Sequence, residues 1–82
     1  MKLEESIKRH EGLRLKPYRC TSQKTTIGFG RNIEDVGISK TEALFLLNTD
    51  IENCKQEAEM NFWFYENLNQ DRKDVVVEMI FN

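Results

Sequence analysis

The chain has 82 residues, enough for one small domain. Hydrophobic residues make up 39% and charged residues 32%, a composition that excludes a disordered chain. The net charge of −2 hides an asymmetry: residues 1–31 hold eight Lys and Arg against three Asp and Glu, whereas residues 32–82 hold four against eleven. The basic first third fits an anionic partner or plain solvated charge, and the acidic remainder argues against a nucleic-acid partner.

The first predicted element is a short amphipathic helix. Leu3, Ile7 and His10 recur at helical spacing, and charged residues occupy the other face. Gly12 is a typical residue for ending a helix, because glycine adopts the left-handed conformation without strain. Glu11 is therefore expected at the carboxyl end of this helix, beside its unpaired carbonyl groups.

A small β-structure is predicted from Leu13 to about Ile33. Pro17 rules out a continuing helix, and the run from Thr25 to Phe29 is rich in strand-forming residues. Residues 21–24 are polar and form the turn between two extended segments. We expect an antiparallel hairpin or a three-stranded sheet that needs a helix for support.

A long second helix is predicted from Ser39 to about Met60. Ser39 and Glu42 have the spacing of a capping box, which marks the beginning of a helix. An apolar stripe follows at spacings of three and four residues: Leu44, Leu47, Ile51, Cys54 and Ala58. Because Cys54 lies on this stripe, we expect it to be a buried core residue.

A third helix is predicted after an aromatic connector. Asn69 or Asp71 is the candidate cap, and the apolar segment runs from Val75 to Phe81. Its β-branched residues are compatible with a strand, but the polar first turn favours a helix. We expect the aromatic side chains before it to form core between lobes rather than to stack on sugars: Phe62, Trp63, Phe64 and Tyr65.

The third helix is apolar on nearly all sides, so it needs cover. We expect this cover from chain beyond Asn82 or from self-association through residues 71–82. The predicted fold class is α+β: a single domain with a helix, a small sheet, a long helix and a further helix.

Cysteine and histidine usage predicts neither a metal site nor a cofactor. Cys20, Cys54 and His10 show no metal-ligand spacing. The first residues are charged and do not resemble a signal peptide, and no apolar stretch approaches the length of a membrane span. We expect a protein made in the cytoplasm, without membrane insertion.

Three residues form a candidate catalytic group: Glu11, Cys20 and Thr26. Eight residues separate the first two and five separate the last two, so a hairpin folding back across the helix end brings them around one cleft. The negative end of the helix dipole disfavours the charged form of Glu11, which suits an acid that protonates a glycosidic oxygen. On the opposing face Cys20 is a weak base, a nucleophile or a water ligand, and the Thr26 hydroxyl can orient water.

The same residues resemble the signature of phage-type lysozymes (endolysins, glycoside hydrolase family 24). That family has Glu, eight residues, Asp or Cys, five residues and Thr, with Thr-Ile-Gly-x-Gly closing the hairpin. The chain matches it with Glu11, Cys20, Thr26 and the run that ends at Gly30. The helix from Ser39 resembles the inter-lobe helix of the family, and the segment from Val75 resembles the first helix of its carboxyl lobe.

The resemblance implies a function and roles for the residues. Glu11 would be the general acid, Cys20 would lie opposite it, and Thr26 would orient the attacking water, with Tyr18 and Arg31 as substrate-binding residues. The substrate would be the β-1,4 bond between N-acetylmuramic acid and N-acetylglucosamine in bacterial peptidoglycan, reached after release from the host cytoplasm.

The resemblance also implies a division of the chain and leaves an alternative function. Residues 1–60 would form the catalytic lobe with its inter-lobe helix, and residues 61–82 the start of a truncated carboxyl lobe. Family members usually extend well past residue 82, so the alternative is a catalytically silent lobe that binds cell wall or a protein.

Overall fold

A computed structural model of the protein describes residues 2–82, and the chain divides into two compact units between Ser39 and Lys40. The first unit contains helix α1 (Lys2–Glu11), strands β1 (Arg14–Arg19), β2 (Thr25–Gly28) and β3 (Arg31–Asn32), and helix α2 (Ile33–Val36). The second contains helix α3 (Lys40–Asn61), a short 3₁₀ turn (Tyr65–Asn67) and helix α4 (Gln70–Phe81). The predicted α+β fold class is confirmed.

Helix α1 ends where its sequence predicts. Gly12 has a φ of 70°, and its N–H donates to the Lys8 carbonyl at 2.9 Å. This left-handed residue satisfies one of the last carbonyls of the helix and turns the chain towards β1. Glu11 is consequently the last residue of α1, as expected.

The β-structure is a three-stranded antiparallel sheet in the order β1-β2-β3. Thr26, in the central strand, pairs with Tyr18 on one side and with Asn32 on the other. The register of β1 against β2 shifts between Arg14 and Tyr18, and Pro17 lies inside this irregular stretch. Proline has no N–H for a ladder, so an irregularity at the sheet edge accommodates it.

Helix α2 is absent from the sequence prediction, because four residues carry no helical periodicity. Asn32 caps it by accepting a hydrogen bond from the Asp35 N–H at 3.1 Å. Glu34 then accepts from the N–H and the hydroxyl of Thr25 at 3.1 and 3.2 Å. Helix α2 thereby holds the beginning of β2.

The second unit is organised around a small apolar core between α3, the 3₁₀ turn and α4. Ala58, Tyr65 and Val77 are buried, and partly buried side chains surround them: Ile51, Cys54, Leu68, Val76 and Ile80. Helix α3 covers the predicted range to within a residue. Helix α4 confirms the helical interpretation over the strand, and Asn69 is its cap, accepting from the Arg72 N–H at 2.9 Å.

Two expectations about burial are wrong. Cys54 is half-buried at the margin of this core rather than enclosed in it. Trp63 is 87% exposed, whereas its neighbour Tyr65 is 4% exposed. Periodicity identifies an apolar face, but the number of elements packed against that face decides how deeply each side chain is buried.

An apolar groove runs along α4. Its volume is about 380 Å³, and it is lined by Phe62, Phe64, Val76, Met79 and Ile80. Across residues 2–82, none of the helices has the length and apolar character needed to cross a lipid bilayer.

Candidate active site

The tight turn between β1 and β2 determines the position of Cys20. The Cys20 carbonyl accepts from the Gln23 N–H at 2.8 Å, and the Cys20 N–H donates to the Lys24 carbonyl at 3.0 Å. Gln23 has a φ of 64°, at a turn position that usually favours glycine. Both backbone polar groups of Cys20 are therefore satisfied within the turn, which restrains the direction of its side chain.

Several hydrogen-bond donors surround the Cys20 sulfur. They lower the pKa of this thiol from its ordinary value of 9.0 to about 6, with the Ser22 hydroxyl as the largest cause and the Thr26 hydroxyl next, followed by the backbone of Lys24 and Ser22. The distance from Ser22 Oγ to Cys20 Sγ is 3.1 Å. The lowered pKa favours the thiolate form of Cys20, which is a stronger base and nucleophile than the thiol.

Thr26 is the one buried side chain among the described residues of the first unit, at 2% exposure. Its hydroxyl donates to the Lys24 carbonyl at 2.9 Å and is also a cause of the lowered pKa of Cys20. A hydroxyl has a single proton, so Thr26 donates to only one of these acceptors at a time. When it turns towards the thiolate, the Lys24 carbonyl keeps the bond from the Cys20 N–H.

The carboxyl group of Glu11 lies against the β2–β3 turn. A Cβ atom built on Gly30 would lie only 2.7 Å from Glu11 Oε2 and 3.0 Å from Cδ. Gly30 is two residues before Asn32, which pairs with Thr26. Glu11 therefore contacts the turn that follows the strand of Thr26, and the Thr26 hydroxyl is among the groups that lower the pKa of the Cys20 thiol.

Tyr18 and Arg31 also belong to the sheet. Tyr18 pairs with Thr26 across the ladder, and the Arg14 guanidinium lies 4.7 Å from the centre of its ring. Arg31 is exposed at the beginning of β3, where its guanidinium donates to the Gly37 carbonyl at 3.2 Å. Each side chain thus has a contact that orients it.

Sequence reasoning missed two residues of this site. Ser22 is interpreted there only as part of a polar turn, although a hydroxyl two residues after the cysteine is the signal that reveals it. Gly30 enters there only as the last residue of the matched run, and its close approach to Glu11 depends on tertiary structure. Within residues 2–82, no group of three or more His, Cys, Asp or Glu side chains is arranged to hold a metal ion.

The residues of this site lie in the part of the chain that is similar to known proteins. A family model described as phage lysozyme matches residues 8–82, a range that includes Glu11, Cys20 and Thr26. An endolysin from Acyrthosiphon pisum secondary endosymbiont phage 1 is 38% identical over 80 residues, which covers 93% of this chain and 53% of the endolysin. The chain therefore spans about half the length of this curated relative.

Proposed function

Because the chain belongs to the phage lysozyme family, we propose that it is a glycosidase that hydrolyses the β-1,4 bond between N-acetylmuramic acid and N-acetylglucosamine in peptidoglycan. The observation that carries this proposal is the contact of the Glu11 carboxyl group with the β2–β3 turn of the sheet whose central strand holds the buried Thr26. The turn on the other side of that strand holds Cys20. A carboxyl group and a second proton acceptor are the two groups that glycosidic hydrolysis requires.

Glu11 is the general acid. Its carboxyl proton passes to the bridging oxygen while the bond between that oxygen and the anomeric carbon breaks, and Glu11 is left as a carboxylate. The contact with Gly30 restrains this exposed side chain, so that its proton is directed at one place.

Cys20 is the general base and Thr26 the residue that positions water. The thiolate takes a proton from a water molecule, the water oxygen bonds to the anomeric carbon, and Cys20 becomes a neutral thiol. The lone pairs of Thr26 Oγ1 remain available to this water while its proton is donated to the Lys24 carbonyl. Afterwards solvent carries the proton from the thiol back to Glu11, which restores both groups.

Tyr18 and Arg31 are proposed to contact the substrate. Arg31 is exposed and can hydrogen-bond to the polar groups of the glycan, and the half-buried ring of Tyr18 offers a surface for a sugar. The basic first third of the chain favours approach to an anionic wall polymer. The site of action is the cell wall, reached after release from the bacterial cytoplasm.

Zymography on peptidoglycan tests the proposal with the chain and its Glu11→Gln variant. The expected result is clearing by the wild-type chain and none by the variant, which keeps the shape of the side chain without its acid. Equal clearing by both proteins would refute the role of Glu11.

A second candidate function is a binding lobe without activity, which the apolar groove along α4 favours as a surface for a partner. Sedimentation with insoluble peptidoglycan distinguishes it from the enzyme. Co-sedimentation without any clearing would support the binding lobe and contradict the glycosidase.

A further inference from the structure

The hydroxyl group of Ser22 lies 3.1 Å from the sulfur of Cys20, outside the group of residues that the family signature names. We propose that Ser22 is a positioning residue, whose hydroxyl donates to the Cys20 thiolate and holds it in the direction required for taking a proton from water. This inference rests on the proposed role of Cys20 and extends it to a residue that does not touch the substrate.

The turn holds Ser22 in place for this contact. The bonds from Gln23 N–H to the Cys20 carbonyl and from Cys20 N–H to the Lys24 carbonyl close the loop on both sides of Ser22. These two bonds therefore hold the backbones of Cys20 and Ser22 at a fixed distance from each other. Little side-chain entropy is lost when the hydroxyl turns to the sulfur, since serine has a single side-chain torsion to fix.

Ser22 and Thr26 have different roles towards the sulfur. Thr26 has an alternative acceptor in the Lys24 carbonyl at 2.9 Å, so its proton is divided between two partners. While Thr26 donates to that carbonyl, Ser22 is the side-chain donor that remains for the thiolate. This difference agrees with the pKa of the Cys20 thiol, which the Ser22 hydroxyl lowers more than any other group does.

The two charged side chains that flank this turn in the sequence, Arg19 and Lys24, are engaged elsewhere. Arg19 donates to the Gln23 carbonyl at 3.0 Å. Lys24 Nζ lies 3.7 Å from a Glu34 oxygen and 3.5 Å from an Asp35 oxygen, on helix α2. The stabilisation of the thiolate therefore comes mainly from neutral donors, and it should respond to removal of a hydroxyl and only weakly to salt.

The test measures the rate of alkylation of Cys20 by iodoacetamide as a function of pH, which does not require enzymatic activity. Cys54→Ala removes the other thiol of the chain, and the variants made in this background are Ser22→Ala, Ser22→Thr and Thr21→Ala. Thr21 is an exposed hydroxyl in the same turn and serves as the matched control. Thermal unfolding of each protein checks that it is folded.

The midpoint of the alkylation profile should lie near pH 6 in the background protein. Ser22→Ala should raise it by about one pH unit, since a hydrogen bond to a charged group is lost. Ser22→Thr should restore it, and Thr21→Ala should leave it unchanged. An unchanged midpoint in a folded Ser22→Ala variant, or the same rise in Thr21→Ala, would overturn the inference.

The proposed function can fail separately. If Cys20→Ala clears peptidoglycan as well as the wild type, Cys20 has no catalytic role, even where Ser22→Ala moves the alkylation profile. If the profile does not move, Ser22 has no positioning role, whatever the clearing assay shows.

Discussion

Replacing Gly30 by alanine should disturb Glu11 in a way that can be separated from backbone strain. The new methyl group would lie 2.7 Å from Glu11 Oε2 and 3.2 Å from Cγ, closer than non-bonded atoms allow. Gly28 provides a matched control because its φ of 72° is close to the 81° of Gly30, while a Cβ there would meet nothing within 4 Å. Both substitutions introduce the same kind of strain, and only one displaces the carboxyl group.

The magnitudes follow from these contacts. A non-glycine residue in the left-handed region costs roughly 1–2 kcal/mol, which both variants share. Gly30→Ala should lower the free energy of unfolding by about 0.5–1.5 kcal/mol more than Gly28→Ala does. This extra cost is small because the exposed Glu11 side chain can move away by adopting a less favourable rotamer. If Glu11 is the acid proposed above, the effect on activity should be larger, since displacing a catalytic group by about 1 Å reduces the rate about 100-fold.

The assay is thermal unfolding of Gly28→Ala and Gly30→Ala in two backgrounds, wild type and Glu11→Ala. Gly30→Ala should be the less stable of the two in the wild-type background, and the difference should vanish once Glu11 is shortened to alanine. Clearing of peptidoglycan should fall in Gly30→Ala far more than in Gly28→Ala. Equal stabilities in the wild-type background, or a difference that persists without the Glu11 carboxyl, would refute the reasoning.

Four further predictions concern the thiol, the turn, a helix cap and α4. Folding lowers the pKa of Cys20 from 9.0 to about 6, so the wild type should gain stability over Cys20→Ser as the pH rises from about 6 to 9. Denaturation measured across pH should show this gain disappear below about pH 6. A difference in stability that stays constant with pH would contradict the prediction. Gln23→Gly should raise the free energy of unfolding by about 0.5–1 kcal/mol, because it relieves the φ of 64°, and a lower melting temperature would argue against strain there. Asn69→Ala should cost about 1 kcal/mol by removing the cap of α4, which chemical denaturation can measure against Asn69→Asp as a capping control. Sedimentation should show concentration-dependent association of the chain through the groove along α4, and Met79→Lys should weaken it; a wild-type chain that stays monomeric would exclude it.

The elements that local sequence determines are the ones that sequence reasoning predicts. Gly12 ends α1 through its own backbone conformation, and Asn69 begins α4 through a bond to a residue three positions away. These signals involve neighbouring residues, so no knowledge of the remaining fold is needed. Helix α2 has a local cap of the same kind in Asn32, but sequence reasoning misses it because four residues are too few to show a helical period.

The candidate site also has features that local sequence predicts and features that it does not. Spacing singles out Glu11, Cys20 and Thr26, because the distance along the chain between a helix end and a hairpin determines which residues can meet. The contact between Glu11 and Gly30 depends on how α1 packs against the β2–β3 turn, which no local pattern encodes. Trp63 illustrates the same limit for burial, since an apolar residue is buried only where another element covers it.

The irregular stretch of β1 has a consequence for how copies of the chain meet. β1 is an outer strand of the sheet, and an outer strand with regular, unpaired amide groups invites a second molecule to extend the ladder. The register shift between Arg14 and Tyr18 interrupts that regularity, and Pro17 removes an amide from it. The exposed Leu15 therefore lies in a segment that is poorly suited to pairing with a strand of a second molecule. This should protect the protein against edge-to-edge aggregation through β1 at high concentration.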